Sequence, residues 1–205
     1  MDSGRGRRPT SAEILVVEDD DLVASAFTCL LGPLARIAVS GTLAEAERAL
    51  PRSRFAGVVL DVQLPDGSGL ALLEAMRRQL LPTPVLVVSG RFDRTLAARC
   101  HALDAECVFK PDVSDDLLLF AERAIARHET AEARTTTTID ALRGELRLTP
   151  RETDFVRLVA RGDRHHALAS RAGVSLNTMK TMVRRLLEKF QEPTLEAVAG
   201  PGRAA

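Results

Sequence analysis

Short unbroken apolar runs alternate with stretches of helical periodicity through residues 12–130. The runs at 14–17 (ILVV), 36–39 (RIAV), 57–60 (GVVL), 85–88 (VLVV) and 107–109 (CVF) read as strands, and 22–31, 43–50, 69–79, 94–103 and 114–128 as the helices between them. Strands that are apolar on both faces belong in a parallel sheet covered by helices on both sides. Five such units predict an α/β domain, a doubly wound five-stranded parallel sheet, over residues 12–130. In sheets of this kind ligands collect at the carboxyl ends of the strands.

The pattern changes outside that span. Residues 1–11, rich in Gly, Arg and Ser, read as a loose tail. Over 131–147 the periodicity lapses, and the run Thr135 to Thr138 is a poor helix former, so a linker is expected there. From Leu148 onward only helical patterns remain. Thr149, Pro150 and Glu152 make a capping box that opens a helix with Phe155, Val156, Leu158 and Val159 on its buried face, ending at Gly162. A short helix over 165–172, a turn at Gly173-Val174 and a third helix capped by Ser175 and running to about Phe190 complete a small all-α domain over 148–199.

Charge divides along the same boundary. The chain is formally neutral, but residues 12–130 hold 18 acidic against 12 basic side chains, and 148–205 hold 6 against 10. The basic half is either a solvated surface or one that meets nucleic acid. Cys29, Cys100 and Cys107 are too widely spaced for a zinc site or a disulfide framework. The basic start (Arg5, Arg7, Arg8) leads into no long apolar stretch, because Glu18 to Asp21 interrupts it. No signal peptide or membrane span is expected, and a cytoplasmic location is.

Candidate chemistry lies at the predicted strand ends. Glu18, Asp19 and Asp20 follow the first strand, Asp61 the third, Ser89 ends the fourth and Lys110 the fifth. Gathered carboxylates repel one another, and a hard divalent cation such as Mg²⁺ relieves that cost. A carboxylate can attack phosphorus to form an acyl phosphate, and a hydroxyl and a cation can then hold the phosphoryl oxygens. Asp61, Ser89 and Lys110 supply these three roles. Lysine is scarce, three of 28 cationic residues, which makes Lys110 before Pro111 stand out. Asp20 and Asp21 suit capping of the first helix, which is also the plainer reading of Glu18 and Asp19.

The stretches ILVVEDD (14–20) and VVLDVQLPDGSG (58–69), Ser89-Gly90 and Lys110-Pro111 resemble the CheY-like receiver domain of two-component response regulators, a flavodoxin-like fold. The resemblance implies that Asp61 accepts a phosphoryl group from a sensor histidine kinase. It implies that Asp19, Asp61 and the main-chain carbonyl of Gln63 hold Mg²⁺, with Glu18 acting partly through water. Ser89 and Lys110 would contact the phosphoryl oxygens. Receivers commonly carry an aromatic residue three before the lysine; here Cys107 stands there and reads as a small buried residue rather than a redox sensor.

The third helix of the second domain carries Met179, Val183, Leu186, Leu187 and Phe190 on one face and Asn177, Lys180, Thr181 and Arg184 on the other. With the helix before it, this is either a helix-turn-helix or an ordinary solvated pair. The order of LTPRE (148–152), Gly162, Val174-Ser175, Thr178-Met179-Lys180 and Glu196-Ala197-Val198 is similar to the LuxR-type helix-turn-helix. That likeness implies binding of double-stranded DNA, with Lys180, Thr181 and Arg184 near bases and Thr178 and Arg185 on phosphates. A helix over 194–199 would match the dimer contact of a homodimer formed on activation. The scaffold helix departs from the family at 165–169, where His165 and His166 point to different sides of a helix and so make a poor metal pair.

The leading expectation is a phosphorylation-controlled transcription regulator, not an enzyme beyond its own phosphotransfer and dephosphorylation. A second reading keeps the receiver but gives the helical domain a protein partner instead of DNA. A third, a hydrolase with an aspartyl nucleophile, calls for a second Asp two residues after the first, where Gln63 stands.

Overall fold

The computed structural model describes residues 12–91, 93–160, 168 and 172–191. The tail over 1–11, Gly162, most of the expected helix over 165–172 and the helix over 194–199 lie outside the described residues. The chain divides into two compact units between Glu129 and Thr130.

The first unit contains strands β1 (Glu13–Val17), β2 (Arg36–Ser40), β3 (Gly57–Asp61), β6 (Val85–Ser89) and β7 (Glu106–Phe109) in one parallel sheet, ordered β2-β1-β3-β6-β7. Helices α1 (Asp21–Leu31), α2 (Leu43–Ala49), α3 (Gly69–Arg78), α4 (Arg94–Ala102) and the first turns of α5 (Ser114–Glu145) alternate with the strands. The doubly wound α/β class is as expected. A short antiparallel ribbon, β4 (Gln63–Leu64) with β5 (Gly67–Ser68), was not legible in the periodicity.

Alternation along the strands explains the layering, because successive side chains enter opposite faces. Ile14, Val16, Val59, Leu86 and Val88 pack with Phe27 and Leu31 of α1 and Leu117, Phe120 and Ala124 of α5. Leu15, Val17, Val58, Leu60 and Val87 pack with Ala46 of α2, Leu72, Leu73 and Met76 of α3, and Leu96 and Cys100 of α4. Two cores therefore clamp one sheet, and the sheet presents its strand ends at a single edge.

Over 131–145 the structure corrects the expectation of a poor helix: α5 continues as helix to Glu145. Each of Thr135, Thr136, Thr137 and Thr138 donates its hydroxyl to the carbonyl four residues earlier, at 2.9, 2.9, 3.0 and 3.0 Å, so the side chains that make threonine a weak helix former are tied to the helix itself. Ile139 then enters the core of the second unit, with Leu142 and Leu146 against it.

In the second unit, α6 (Pro150–Ala160) begins at the expected box: Glu152 N–H donates to Thr149 Oγ1 at 3.3 Å, and Thr149 N–H to Glu152 Oε2 at 2.8 Å. Ser175 caps α7 (Leu176–Phe190), accepting from Thr178 N–H at 3.1 Å. Phe155, Val156, Val159, Leu168, Met179, Leu186 and Phe190 close its core.

Candidate functional site

Each strand end delivers one part of the site. Glu18 and Asp19 follow β1, Asp61 ends β3, Ser89 ends β6, and Lys110 follows β7. The parallel register sets them level: Leu60 pairs with Val87, Asp61 with Val88 and Ser89 with Phe109, and Lys110 N–H donates to the Ser89 carbonyl at 2.8 Å. Asp20 caps α1 through Leu22 N–H at 2.8 Å and Val23 N–H at 3.2 Å, as expected for it.

The side chains converge. Lys110 Nζ donates to Glu18 Oε2 at 2.8 Å and to Asp61 Oδ2 at 2.9 Å. Carboxylate oxygens of Glu18, Asp19 and Asp61 all lie within 4.8 Å of one another, a donor set suited to a metal ion. Glu18 and Asp61 are buried, at 3% and 8% exposure, while Asp19 faces solvent. Burial, the largest influence, and the Asp61 charge push the Glu18 carboxyl above its ordinary pKa; the Lys110 bond opposes them but does not win. For Lys110, burial alone would lower the pKa, yet two carboxylates around one ammonium outweigh it and hold the group above its ordinary value. One cation is shared between two buried anions. The anions are left short of positive charge.

Asp61 Oδ1 accepts Gln63 N–H at 3.0 Å, which turns the chain straight out of β3. Gly69 is needed next to it, because a Cβ there would collide with the Asp61 carbonyl oxygen. Asp66, in the same loop, accepts Leu43 N–H at 2.8 Å and Ala44 N–H at 3.0 Å, and so ties the loop to the start of α2. Those amide bonds lower the Asp66 pKa. Ser89 is buried, its hydroxyl donating to the Arg91 carbonyl at 3.1 Å and accepting Arg91 N–H at 3.3 Å. A cleft of ≈ 430 Å³ beside it is lined by Val62, Gln63, Leu70, Ser89, Arg91 and Asp93, among others. Sequence reading missed Arg91, which no spacing signals, and the role of Asp66, for which the Pro65-Asp66-Gly67 turn was the available clue.

On α7, Asn177, Thr178, Lys180, Thr181, Arg184 and Arg185 lie opposite the buried Met179, Leu186 and Phe190. The Thr178 hydroxyl pairs with Ser175 Oγ at 2.9 Å, and the Thr181 hydroxyl donates to the Asn177 carbonyl at 3.1 Å. Lys189, not singled out by its spacing, locks α7 to the start of α6 through Glu152 Oε2 at 2.7 Å and the Arg147 carbonyl at 3.3 Å. Burial would raise the Glu152 pKa, but the Lys189 and Thr149 bonds hold it low.

A doubly wound sheet with acidic side chains and a lysine gathered at its carboxyl edge defines a class, and comparison with known proteins identifies it. Residues 14–121 match the response regulator receiver domain family, and the chain belongs to that family. It is 28% identical over 188 residues to the transcriptional regulatory protein FixJ of Bradyrhizobium diazoefficiens, covering 91% of this chain and 92% of that one. Over 193 residues it is 24% identical to the nitrate/nitrite response regulator NarL of Escherichia coli K12, covering 88% of this chain and 89% of NarL. Among solved structures, full-length FixJ from B. japonicum matches with a TM-score of 0.53 at 27% identity, over 93% of this chain and 95% of FixJ. The non-phosphorylated HemR receiver domain of Leptospira biflexa matches at 0.52 and 31% identity, over 56% of this chain and 94% of that one. The chain is a two-component response regulator: a receiver followed by a LuxR-type region. Among the described residues no helix is long and apolar enough to cross a membrane.

Proposed function

We propose that the chain is switched by phosphoryl transfer from a sensor histidine kinase to Asp61 and controls transcription through DNA binding by its basic second domain, as a homodimer when active. The receiver occupies 12–130 and the LuxR-type domain 148–199. The observation that carries this reading is Lys110, whose ammonium bridges buried Glu18 and Asp61 with the Asp19 carboxylate in reach. FixJ and NarL, similar over most of their length, are named as a transcriptional regulatory protein and a response regulator.

A carboxylate oxygen of Asp61 attacks the phosphorus of the donor phosphohistidine. The new P–O bond forms as the P–N bond breaks, and the electron pair leaves with the imidazole. Lys110 neutralises the arriving phosphoryl oxygens, and Ser89 turns its hydroxyl from the Arg91 carbonyl to donate to one of them. The carboxylates of Glu18, Asp19 and Asp61, with the Gln63 main-chain carbonyl, would hold Mg²⁺, which when bound offsets charge on those oxygens. Chemistry beyond phosphorylation and dephosphorylation of Asp61 is not expected. In the second domain, Lys180, Thr181 and Arg184 read bases, and Thr178 and Arg185 meet phosphates.

Intact-mass measurement after incubation with an acyl phosphate and Mg²⁺ tests the first step. One phosphoryl group is expected on the wild type and none on Asp61→Asn; equal labelling of both removes Asp61 from this role. Salt-dependent retention on duplex DNA, weakened in Lys180→Ala/Arg184→Ala with the fold intact, tests the second. Absence of any salt-dependent binding would favour a protein partner for this domain.

A further inference from the structure

The loop after Asp61 holds a carboxylate that the phosphoryl chemistry leaves unused. Asp66 sits at the turn of the β4–β5 ribbon, in which Gln63 pairs with Ser68 and Leu64 with Gly67. Its two oxygens accept Leu43 N–H at 2.8 Å and Ala44 N–H at 3.0 Å, from 23 and 22 residues away in sequence. The first N–H groups of any helix lack partners within it. In α2 the next of them, from Glu45, goes to Thr42 Oγ1 at 3.2 Å, and Glu45 Oε2 in turn accepts Gly41 N–H at 2.9 Å. The helix is therefore capped from its own side. Asp66 adds a tie from outside it. Gly67 shows how close the two segments run: its φ of 151° favours glycine, and a Cβ there would come within 2.8 Å of the Leu43 side chain.

From that tie the chain runs straight back to the acidic cluster. Leu64 is buried and anchors the ribbon in the core shared with α2 and α3. Gly69 N–H donates to the Val62 carbonyl at 2.9 Å, and Gln63 N–H to Asp61 Oδ1 at 3.0 Å. Gln63 thus lies between two fixed points, the Asp61 carboxylate on one side and the Asp66–α2 tie on the other.

We infer that Asp66 is a positioning residue for Mg²⁺: by fastening the ribbon to α2, it holds the Gln63 main-chain carbonyl in register with the carboxylates of Glu18, Asp19 and Asp61. The inference rests on the reading of those four residues as a Mg²⁺ site. Mg²⁺ demands near-ideal octahedral geometry, so it tolerates a displaced ligand poorly. A main-chain ligand has no side-chain rotamer with which to follow the ion, and it moves only if its loop moves. Outer groups that orient ligands change metal affinity by about 10- to 100-fold when they are removed. Asp66 is exposed, which puts Asp66→Ala at the low end, a loss of about tenfold.

The Kd of the full chain for Mg²⁺ is read from isothermal titration and, independently, from the rise of the urea midpoint with Mg²⁺ concentration. Asp66→Ala loses both amide bonds, whereas Asp66→Asn loses the charge and keeps one acceptor oxygen. Affinity should fall in the order wild type, Asp66→Asn, Asp66→Ala. Thr42→Ala removes the cap of the same helix without touching the ribbon, so it should lower the urea midpoint in chelator and leave the Kd unchanged. Equal weakening in Asp66→Asn and Asp66→Ala would make the effect one of charge and overturn the inference, as would wild-type affinity in Asp66→Ala. Weakening in Thr42→Ala as large as in Asp66→Ala would reduce Asp66 to a cap of α2 and overturn it too. A wild type that binds no Mg²⁺ would instead remove the metal reading, and this inference with it.

Discussion

Replacing Glu18 by Gln should stabilise the fold without metal and weaken its response to metal. Glu18 is 3% exposed, shares the Lys110 ammonium with Asp61, and has its pKa raised above the ordinary 4.5. A carboxyl whose folded-state pKa is raised contributes stability that is present below its unfolded value and lost as pH rises through the folded value. As pH rises through that folded value the wild type loses the contribution, whereas the amide of the variant carries no charge to desolvate and still offers an oxygen to Lys110. Because the lysine end of the cluster reaches solvent and is screened, the expected gain for Glu18→Gln lies at the lower end of what neutralising a buried ion pair brings, about 1 kcal/mol.

Urea titration at pH 7 in a chelator should place the Glu18→Gln midpoint above that of the wild type, and the difference should vanish below pH 4.5, where Glu18 is protonated too. Adding Mg²⁺ reverses the order. A cation at a hundredfold excess over its Kd stabilises the wild type by about 2.7 kcal/mol, and the variant, short of one carboxylate, gains less. A variant less stable than the wild type in chelator, or one that gains as much from Mg²⁺, would refute the account of the cluster as under-neutralised.

Two further predictions follow from packing. Gly69→Ala forces the loop off the Asp61 carbonyl and should slow phosphoryl uptake by about tenfold or more while circular dichroism stays unchanged, as small misplacements at a reacting group do. Arg77 donates to the carbonyls of Leu103, Leu81, Thr83 and Asp104 at 2.7, 2.9, 3.2 and 3.0 Å, so Arg77→Ala orphans four acceptors and should cost about 2–4 kcal/mol in urea unfolding.

The fold of the first unit was legible because its strands are apolar on both faces, a pattern that only a sheet covered on both sides satisfies. Strand and helix ends fall within a residue or so of where the periodicity placed them, from β1 through α4. Residues 131–145 were not legible for a physical reason. Propensity counts the entropy that threonine loses in a helix, but not the bonds from Thr135 to Thr138 back to their own helix, nor the burial of Ile139 that holds its far end. The β4–β5 ribbon is two residues a side, too short for any period to register.

The site was more legible than its surroundings, and topology is why. In a parallel sheet every strand leaves by the same edge, so a residue type noticed just after one apolar run is brought level with those after the others, however far apart in sequence. Glu18 and Lys110 are 92 residues apart and share a hydrogen bond. What the edge rule cannot reach is anything set by a loop's own course: the Ser89–Arg91 turn or the Asp66 tie to α2. Those contacts depend on helix docking angle and turn geometry, which no single-residue pattern encodes. The grouping of Glu18, Asp19, Asp61 and Lys110 was therefore readable from strand ends, while the features particular to this chain needed three dimensions.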